Sequence, residues 1–531
     1  MFYELIRTMQ CGQFHGRRST NEMASSIQFK ILKIFLAFLA LVVGIFLLAL
    51  NSPVYLFRCF VRKIAPNCRP DLGDMLTSGS TIFAIDDMHG KTKCNVVVGF
   101  ELDGILKLGQ LQKLFYNNVI CATVAGGRTT PNCGLPRLKF PELRQYIEPW
   151  MGFLFFKEDT NFDLNRHIIL HNSYYSDSQT PSPIDLDELK VIFLNKSWER
   201  RKPLWELVLA DHDDRGKNGR SYMFLRFHHS LGDGFAFLNV VAALCGSQIL
   251  GEKMPRPASL PPPRRSLTSK IVFPFRLAYD FVGTQLLSYK MNKSWPMRPV
   301  RLHDEKSLVS TGKFFPLDRV KRIKNHFGIS FTSVIFAAYA GVLRDKMITD
   351  KIGTRSGDDE DYSLPDYAIC FSVLPVLSHS SQLRNEMAGS HVLLPVGEKD
   401  ALRRLQYCEK AYQRIKTSTM AVLHGLTVQM LGLHFTSVLR PIMSCVTCPT
   451  AISNFPTGPS YVSIGGTRLT GVTFGAGLQR GQTGLALAIV SYGENMCISV
   501  VGDHNVVGRD ELVRLSDGVV DHIDKLHDLI K

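Results

Sequence analysis

The chain has 531 residues, long enough for two or three domains with a substantial buried core. With 45% hydrophobic and 21% charged residues, its composition excludes general disorder and is that of a globular protein. The net charge of +15 suits an anionic partner without choosing among nucleic acid, a phospholipid surface and a phosphorylated small molecule.

After a leader over residues 1–28, Ile34–Leu50 reads IFLAFLALVVGIFLLAL, seventeen residues without a charged or strongly polar group. With Pro53–Phe57 it reaches bilayer length, so 29–57 is read as a single transmembrane anchor. The long leader and the lack of a small-x-small site disfavour a cleaved signal peptide. A soluble core helix is rarely apolar on every face for so long. Arg17, Arg18, Lys30 and Lys33 precede the run and Arg58, Arg62, Lys63 and Arg69 follow it, so the positive-inside rule returns a tie.

Next come a strand over Asn95–Leu102 and a helix over Leu108–Phe115. Strands over Trp205–Ala210 and Ser221–His229 flank a polar loop, DHDDRGKNGR, and Phe235–Cys245 reads as a packed helix. The run EKMPRPASLPPPRRS (Glu252–Ser266) marks a linker or crossover. A helix over Ser330–Lys346, a strand over Tyr367–Leu377 and a helix from Ala401 to Ile415 follow, and the chain closes on further strands. Thr417–Leu439 lacks Lys, Arg, Asp and Glu but contains His424, Gln429 and His434, which favours a buried or membrane-surface helix over a second span. Alternating strands and helices on both sides of the crossover give an α/β (α+β) protein in two lobes.

Twelve cysteines follow no regular spacing, and Cys445 and Cys448 form a lone C-x-x-C, which fits buried thiols in a reducing compartment rather than a zinc site. Asn195-Lys-Ser197 and Asn292-Lys-Ser294 match a glycosylation sequon that is common by chance.

The stretch FLRFHHSLGDGF (Phe224–Phe235) carries two adjacent histidines four residues before an aspartate. Neighbours on a strand point to opposite faces, so His228 and His229 do not share a metal ion. His229 and Asp233 lack a third ligand. Two readings remain open on chemistry alone. One is a polar turn closing a strand; the other is a neutral imidazole serving as base at a strand end. A Ser-His-Asp hydrolase has little support, because no G-x-S-x-G surrounds the site.

HHSLGDG matches the H-H-x-x-x-D-G signature of acyltransferases related to chloramphenicol acetyltransferase, which include condensation domains. FDLNRHI (Phe162–Ile168), RKPLWELVL (Arg201–Leu209), LRNEMAGSHVLLPVGEKDALRRL (Leu383–Leu405), ISNFPTGP (Ile452–Pro459) and SYGENMCISVVGD (Ser491–Asp503) resemble, in order, segments of the wax ester synthase/diacylglycerol acyltransferase family. The resemblance runs from about Leu76 to the C-terminus and implies two chloramphenicol-acetyltransferase-like lobes, 76–250 and 301–531, joined by a crossover over 251–300. Three positions depart from the family: Thr332-Ser333 replaces its Asn-Asp pair, Ser378–Ser381 its arginine, and SNFPTGP is one residue longer than its Asn-x-Pro-Gly-Pro.

The resemblance implies that His229 is the general base, His228 its structural support and Asp233 the residue that fixes the turn, with Gly234 allowing close packing. Asn454 is expected either to orient substrate or to satisfy a turn. Thr332 and Ser333 are expected either to replace the missing pair or to cap their helix. Pro203, Leu204 and Trp205 are expected to be apolar architecture. The implied reaction moves a fatty acyl group from acyl-CoA, a co-substrate, to a fatty alcohol or diacylglycerol. It needs no metal or other cofactor. The implied partners are these substrates and membrane lipid, not nucleic acid, with the lobes on the cytosolic side of the endoplasmic reticulum. The alternative is a weakly active or inactive lipid-binding scaffold of the same fold.

Overall fold

The computed structural model describes residues 20–124, 137–174, 185–212, 219–246, 267–293, 306–353, 364–374, 382–444, 449–458, 461–478 and 483–530. The apolar run falls inside one helix, α1 (Thr20–Cys68), which contains Pro53 and Pro66. Over Ile31–Cys68 this helix is long and apolar enough to cross a membrane.

The first lobe begins with β1 (Leu72–Met75), α2 (Ser78–Ala84), β2 (Asn95–Asp103) and α3 (Leu108–Phe115). A hairpin of β3 (Gln145–Trp150) and β4 (Phe153–Glu158) turns through Met151 and Gly152, both at positive φ. Then come β5 (Ile168–Leu170), α4 (Leu186–Asn195), β6 (Trp205–His212), β7 (Arg220–His228) and α5 (Gly234–Leu244). A long helix, α6 (Leu267–Lys293), leads to the second lobe. There lie β8 (Ser307–Thr311), β9 (Phe315–Pro316), α7 (Leu317–Phe327), α8 (Phe331–Gly353), β10 (Ala368–Leu374) and β11 (Ala388–Leu394). Three helices follow: α9 (Ala401–Thr417), α10 (Met420–Leu431) and α11 (Thr436–Ser444). The chain ends with β12 (Thr450–Gly458), β13 (Ser463–Ile464), β14 (Thr467–Ala476), β15 (Leu485–Tyr492), β16 (Asn495–Asp503) and α12 (Arg509–Asp528).

These elements make a two-lobed mixed α/β fold. The first lobe's sheet has the order β13-β14-β2-β7-β6-β5, and the second lobe's runs β11-β10-β12-β15-β16-β8, with β9 also on β16. A small sheet, β1-β4-β3, adjoins the first lobe. The lobes are interleaved: β14 leaves the second half of the chain and pairs antiparallel with β2 of the first. Residues 301–531 are therefore not one spatial unit.

Polar ties also cross between lobes. Asn195 donates to Ser307 O and accepts from Ser307 N, while Lys190 reaches Thr311 Oγ1 at 2.7 Å. The amide of Asn195, the first sequon asparagine, is thus committed to internal hydrogen bonds.

The 251–300 crossover needs correction. Residues 267–293 are helical and pack along α1, because the proline-rich pattern stops at Pro263 and Pro274 alone is accommodated inside the helix. The Glu252–Ser266 run itself, Ser378–Ser381 and the C-x-x-C at Cys445 and Cys448 lie outside the described residues. The uncharged stretch 417–439 forms two helices, α10 and the start of α11, broken at Gly432. A Cβ at Gly432 would lie 2.1 Å from Ser78 O, so the break lets the chain pass close to α2.

Candidate active site

Strand β7 delivers the two histidines to the seam between the lobes. Its even-numbered residues face α4, where Arg226 is fully buried, bonded to Glu206 Oε2 at 2.9 Å and stacked 3.8 Å over Trp198. Leu225 and Phe227 face the other way, into the core shared with α5. Pro-Leu-Trp sets the neighbouring strand. Leu204 O accepts from His228 N, and the fully buried Trp205 donates from Nε1 to Leu143 O. His167, from the FDLNRHI segment, bonds to Trp205 O and stacks on its ring; burial holds its imidazole down at about 4.

His228 is fully buried. Its Nδ1 accepts from the N–H of Ser230, so the ring proton sits on Nε2 and points to Asp86 Oδ2 at 3.3 Å. The same carboxylate oxygen accepts from Thr92 Oγ1, Lys93 N and Cys94 N. Burial pushes the Asp86 carboxyl up, but His228 and these backbone donors outweigh it and hold it below the usual range. Asp86, Cys94 and His228 are spaced closely enough to surround a metal ion. The hydrogen bonds already made by Asp86 Oδ2 and His228 Nε2 give the cluster a structural role instead.

His229 follows the strand end, with its N–H on Cys94 O. Its ring stacks on Phe83 of α2, centroids 3.9 Å apart and planes within 4°. Nδ1 lies 2.9 Å from Asn385 Oδ1. The Asn385 amide nitrogen donates to His229 O at 2.6 Å and to Ser80 Oγ at 3.2 Å, so its oxygen must face the imidazole. An amide oxygen only accepts; Nδ1 therefore carries the proton and Nε2 keeps its lone pair. Nε2 has no protein hydrogen bond among the described residues. Burial holds the imidazole below its ordinary 6.5, against smaller opposing pulls from a backbone hydrogen bond, Asp233 and Asn385. At neutral pH the ring is uncharged, with Nε2 unprotonated.

Asp233 ties backbone on two sides. One oxygen caps α5 through Ala236 N at 3.0 Å, and the other accepts from Glu386 N at 2.8 Å. Its own N–H reaches Arg384 O. Asp233 thus holds the histidine turn and the segment bearing Asn385 in one register. Gly234 is needed for close approach, since a Cβ there would lie 2.8 Å from the Phe455 ring of β12. Gly79 serves the same purpose in α2, where a Cβ would come within 2.4 Å of Asn385 O.

Two cavities flank β7. One, about 10 Å³, sits behind Gly234 among Phe237, Phe455 and Phe474, so the core closes tightly there. The other is a cleft of about 420 Å³ between the lobes, lined by Phe100, Phe224, Thr311 and Lys190 with Glu101, Asp185 and Asp187. Its three carboxylates make it a poor seat for a phosphate.

Residues 139–286 match the family model of the wax ester synthase/diacylglycerol acyltransferase catalytic domain, and residues 384–526 match that of the WS/DGAT C-terminal domain. The chain belongs to the WS/DGAT family. A WS/DGAT enzyme from Marinobacter aquaeolei shares its fold at a TM-score of 0.52 and 17% identity, covering 86% of this chain and 99% of that one. The first condensation domain of the CDA synthetase does so at 0.55 and 12%, covering 85% and 95%. A Mycobacterium bovis protein provisionally named a diacylglycerol O-acyltransferase is 25% identical over 213 residues, 36% of this chain. A Mycobacterium tuberculosis protein with a similar provisional name matches equally. The matched region spans 44% of the length of these two relatives.

None of the remaining positions singled out by WS/DGAT resemblance bonds to His229 among the described residues. Asn454 lies in β12 rather than in a turn, opposite Ile489 of β15. Strand alternation puts it on the face opposite Phe455, the residue that meets Gly234 and Phe235. Thr332 and Ser333 are already inside α8, so neither is its cap; Ser330 precedes the helix and bonds to Ser333 Oγ and to Glu409. Sequence reasoning gave no role to Asn385, Ser80, Phe83 or Asp86. Only Asn385 stood within a quoted segment, and nothing in its spacing pointed to a histidine 156 residues earlier.

Proposed function

We propose that this chain transfers a fatty acyl group from acyl-CoA to a lipid alcohol, either a fatty alcohol or diacylglycerol, at a membrane surface. The observation that carries the reading is the Asn385 amide, oriented by two acceptors so that His229 Nε2 is left as a base. Nε2 takes the hydroxyl proton as the alcohol oxygen attacks the thioester carbonyl. The tetrahedral intermediate collapses, the C–S bond breaks, and the imidazolium returns its proton to the departing thiolate. No acyl-enzyme forms. Phe83, stacked on the ring, is well placed to stabilise the transient cation.

Membrane association is supported by α1 and by acceptors that dissolve in lipid. The net charge of +15 suits CoA phosphates and anionic lipid alike. Acyl-CoA supply places the lobes on the cytosolic side of the endoplasmic reticulum in this reading.

The test offers labelled acyl-CoA to membranes bearing the chain, with hexadecanol, diacylglycerol and a sterol as separate acceptors. Ester formation with hexadecanol or diacylglycerol, lost in His229→Ala, is the expected result. Transfer unaffected by that substitution would sink the mechanism. No product with any acceptor would favour the scaffold reading.

A further inference from the structure

We propose that α1 lies in the plane of one leaflet instead of crossing the bilayer, and that α6, α10 and α11 share its docking face, with the histidine site directly behind. The proposal rests on the membrane association read above and specifies how the chain meets the lipid.

Helix α1 is tied to the globular body at two distant points. Near its C-terminal end the buried Arg58 donates to Leu76 O at 2.6 Å and to Gly432 O at 3.3 Å. Phe57 packs beside it on Phe153 and Phe435, centroids 6.0 and 5.9 Å away. Near its N-terminal end Lys33 Nζ sits 3.7 Å over the Tyr279 ring of α6, and Ala37 is fully buried. Helix α6 is in turn fastened to the body. Asp280 accepts from Thr419 N and Oγ1, and Arg276 donates to Thr417 O. Thr417 and Thr419 stand just before α10, and Gly432 just after it. The two ties of α1 therefore fall at opposite ends of α10.

Lys33 and Arg58 are roughly 37 Å apart along a straight helix, longer than the ~30 Å hydrocarbon layer. A crossing helix tied at both ends would draw α10 and the β10–β11 edge of the second sheet into hydrocarbon beside it. Arg276 and Asp280 would go with them, against a cost of roughly 2.5–3.5 kcal/mol for each charged side chain at the bilayer centre. Lying in the plane avoids this: the stripe Lys33, Ala37, Ala40 and Gly44 of α1 turns toward the protein, while its other faces and Ile45–Leu50, exposed all round, meet lipid.

The exposed apolar side chains agree. Ile271 and Val272 on α6, Val422 and Leu426 on α10, and Val438 and Ile442 on α11 are each at least 39% exposed, and no residue of α10 is fully buried. Contiguous exposed apolar surface of this kind marks a contact with lipid or protein. The packing of α6 on α1, which carries a seventeen-residue uncharged run, commits it to lipid. The same face abuts the reaction centre: Gly432 presses on Ser78 of α2, the helix that carries Ser80 and Phe83. A lipid alcohol leaving the leaflet beside α10 meets the imidazole next.

The test uses the full-length chain in sealed microsomes, with a short epitope tag at each terminus. Protease added outside is expected to remove both tags without detergent. A phospholipid carrying a carbene-generating group on its acyl chain is expected to label peptides of α6, α10 and α11 together with α1. Protection of one tag until detergent is added shows a crossing and overturns the proposal. Labelling confined to α1, or absent throughout, overturns it as well. Neither readout needs acyl transfer, so a chain that makes no ester but gives this pattern loses the function proposed above and keeps this one.

Discussion

Around His229 the ties are polar and come from distant parts of the chain, with Asn385 on one side and Ser80 and Phe83 on the other. Along α10 the backbone ties sit at the two ends, and between them the side chains are mostly apolar and partly or fully exposed, with His424 turned onto the Phe371 ring. The two regions meet at α2 but answer different demands. A base that must present one nitrogen needs a fixed tautomer, which takes hydrogen bonds of defined direction. A surface for lipid needs area without direction.

Substitutions can break that comparison at either end. The largest expected effect is His229→Ala, a loss of about 100- to 10,000-fold in kcat with an unchanged melting transition. Next is Asn385→Leu, which frees the imidazole to rotate and change tautomer; about a hundredfold loss of kcat is expected, with acyl-CoA KM little changed. If His229→Ala lowers the melting temperature as much as it lowers rate, the ring is structural and the contrast between the regions fails. Val422→Glu combined with Leu426→Glu should leave detergent-solubilised activity within twofold of wild type. It should weaken retention on vesicles by roughly tenfold, read by flotation. His228→Ala leaves the buried Asp86 short of a donor and should cost about 1–3 kcal/mol in chemical denaturation. Asp233→Ala should cost about 1 kcal/mol for the lost cap.

Much of this was legible in the sequence, and the rest was hidden for identifiable reasons. Local pattern placed β7, α5 and the turn between them to within a residue, because apolar spacing and glycine act locally. It also placed His228 and His229 on different sides of the strand end. Asn385 stayed silent because its partners, His229 and Ser80, lie 156 and 305 residues away, and no periodicity links them. Nothing in the sequence assigned β14 to a place beside β2, since alternation says nothing about which sheet accepts a strand. The proline-rich run masked α6, whose helix begins only four residues after Pro263. Thr332-Ser333 shows the reverse case: of the two roles open to this hydroxyl pair, capping falls away because the helix has already begun at Phe331.

The central claim is that His229 Nε2 is a neutral base whose tautomer is set by Asn385 across the lobes. The pH dependence of kcat/KM for acyl transfer, compared between wild type and Asn385→Asp, tests it most directly. Burial holds the His229 imidazole below 6.5, so the wild-type rate should rise through an ionisation below that pH and be flat above it. Glu142, pushed up to about 7 by burial, is the nearby competitor for such a limb, and Glu142→Gln should leave the lower one in place. A carboxylate at position 385 stabilises the imidazolium, so in Asn385→Asp the limb should move to higher pH. A limb that stays where it was in Asn385→Asp, or that disappears in Glu142→Gln, would contradict the account.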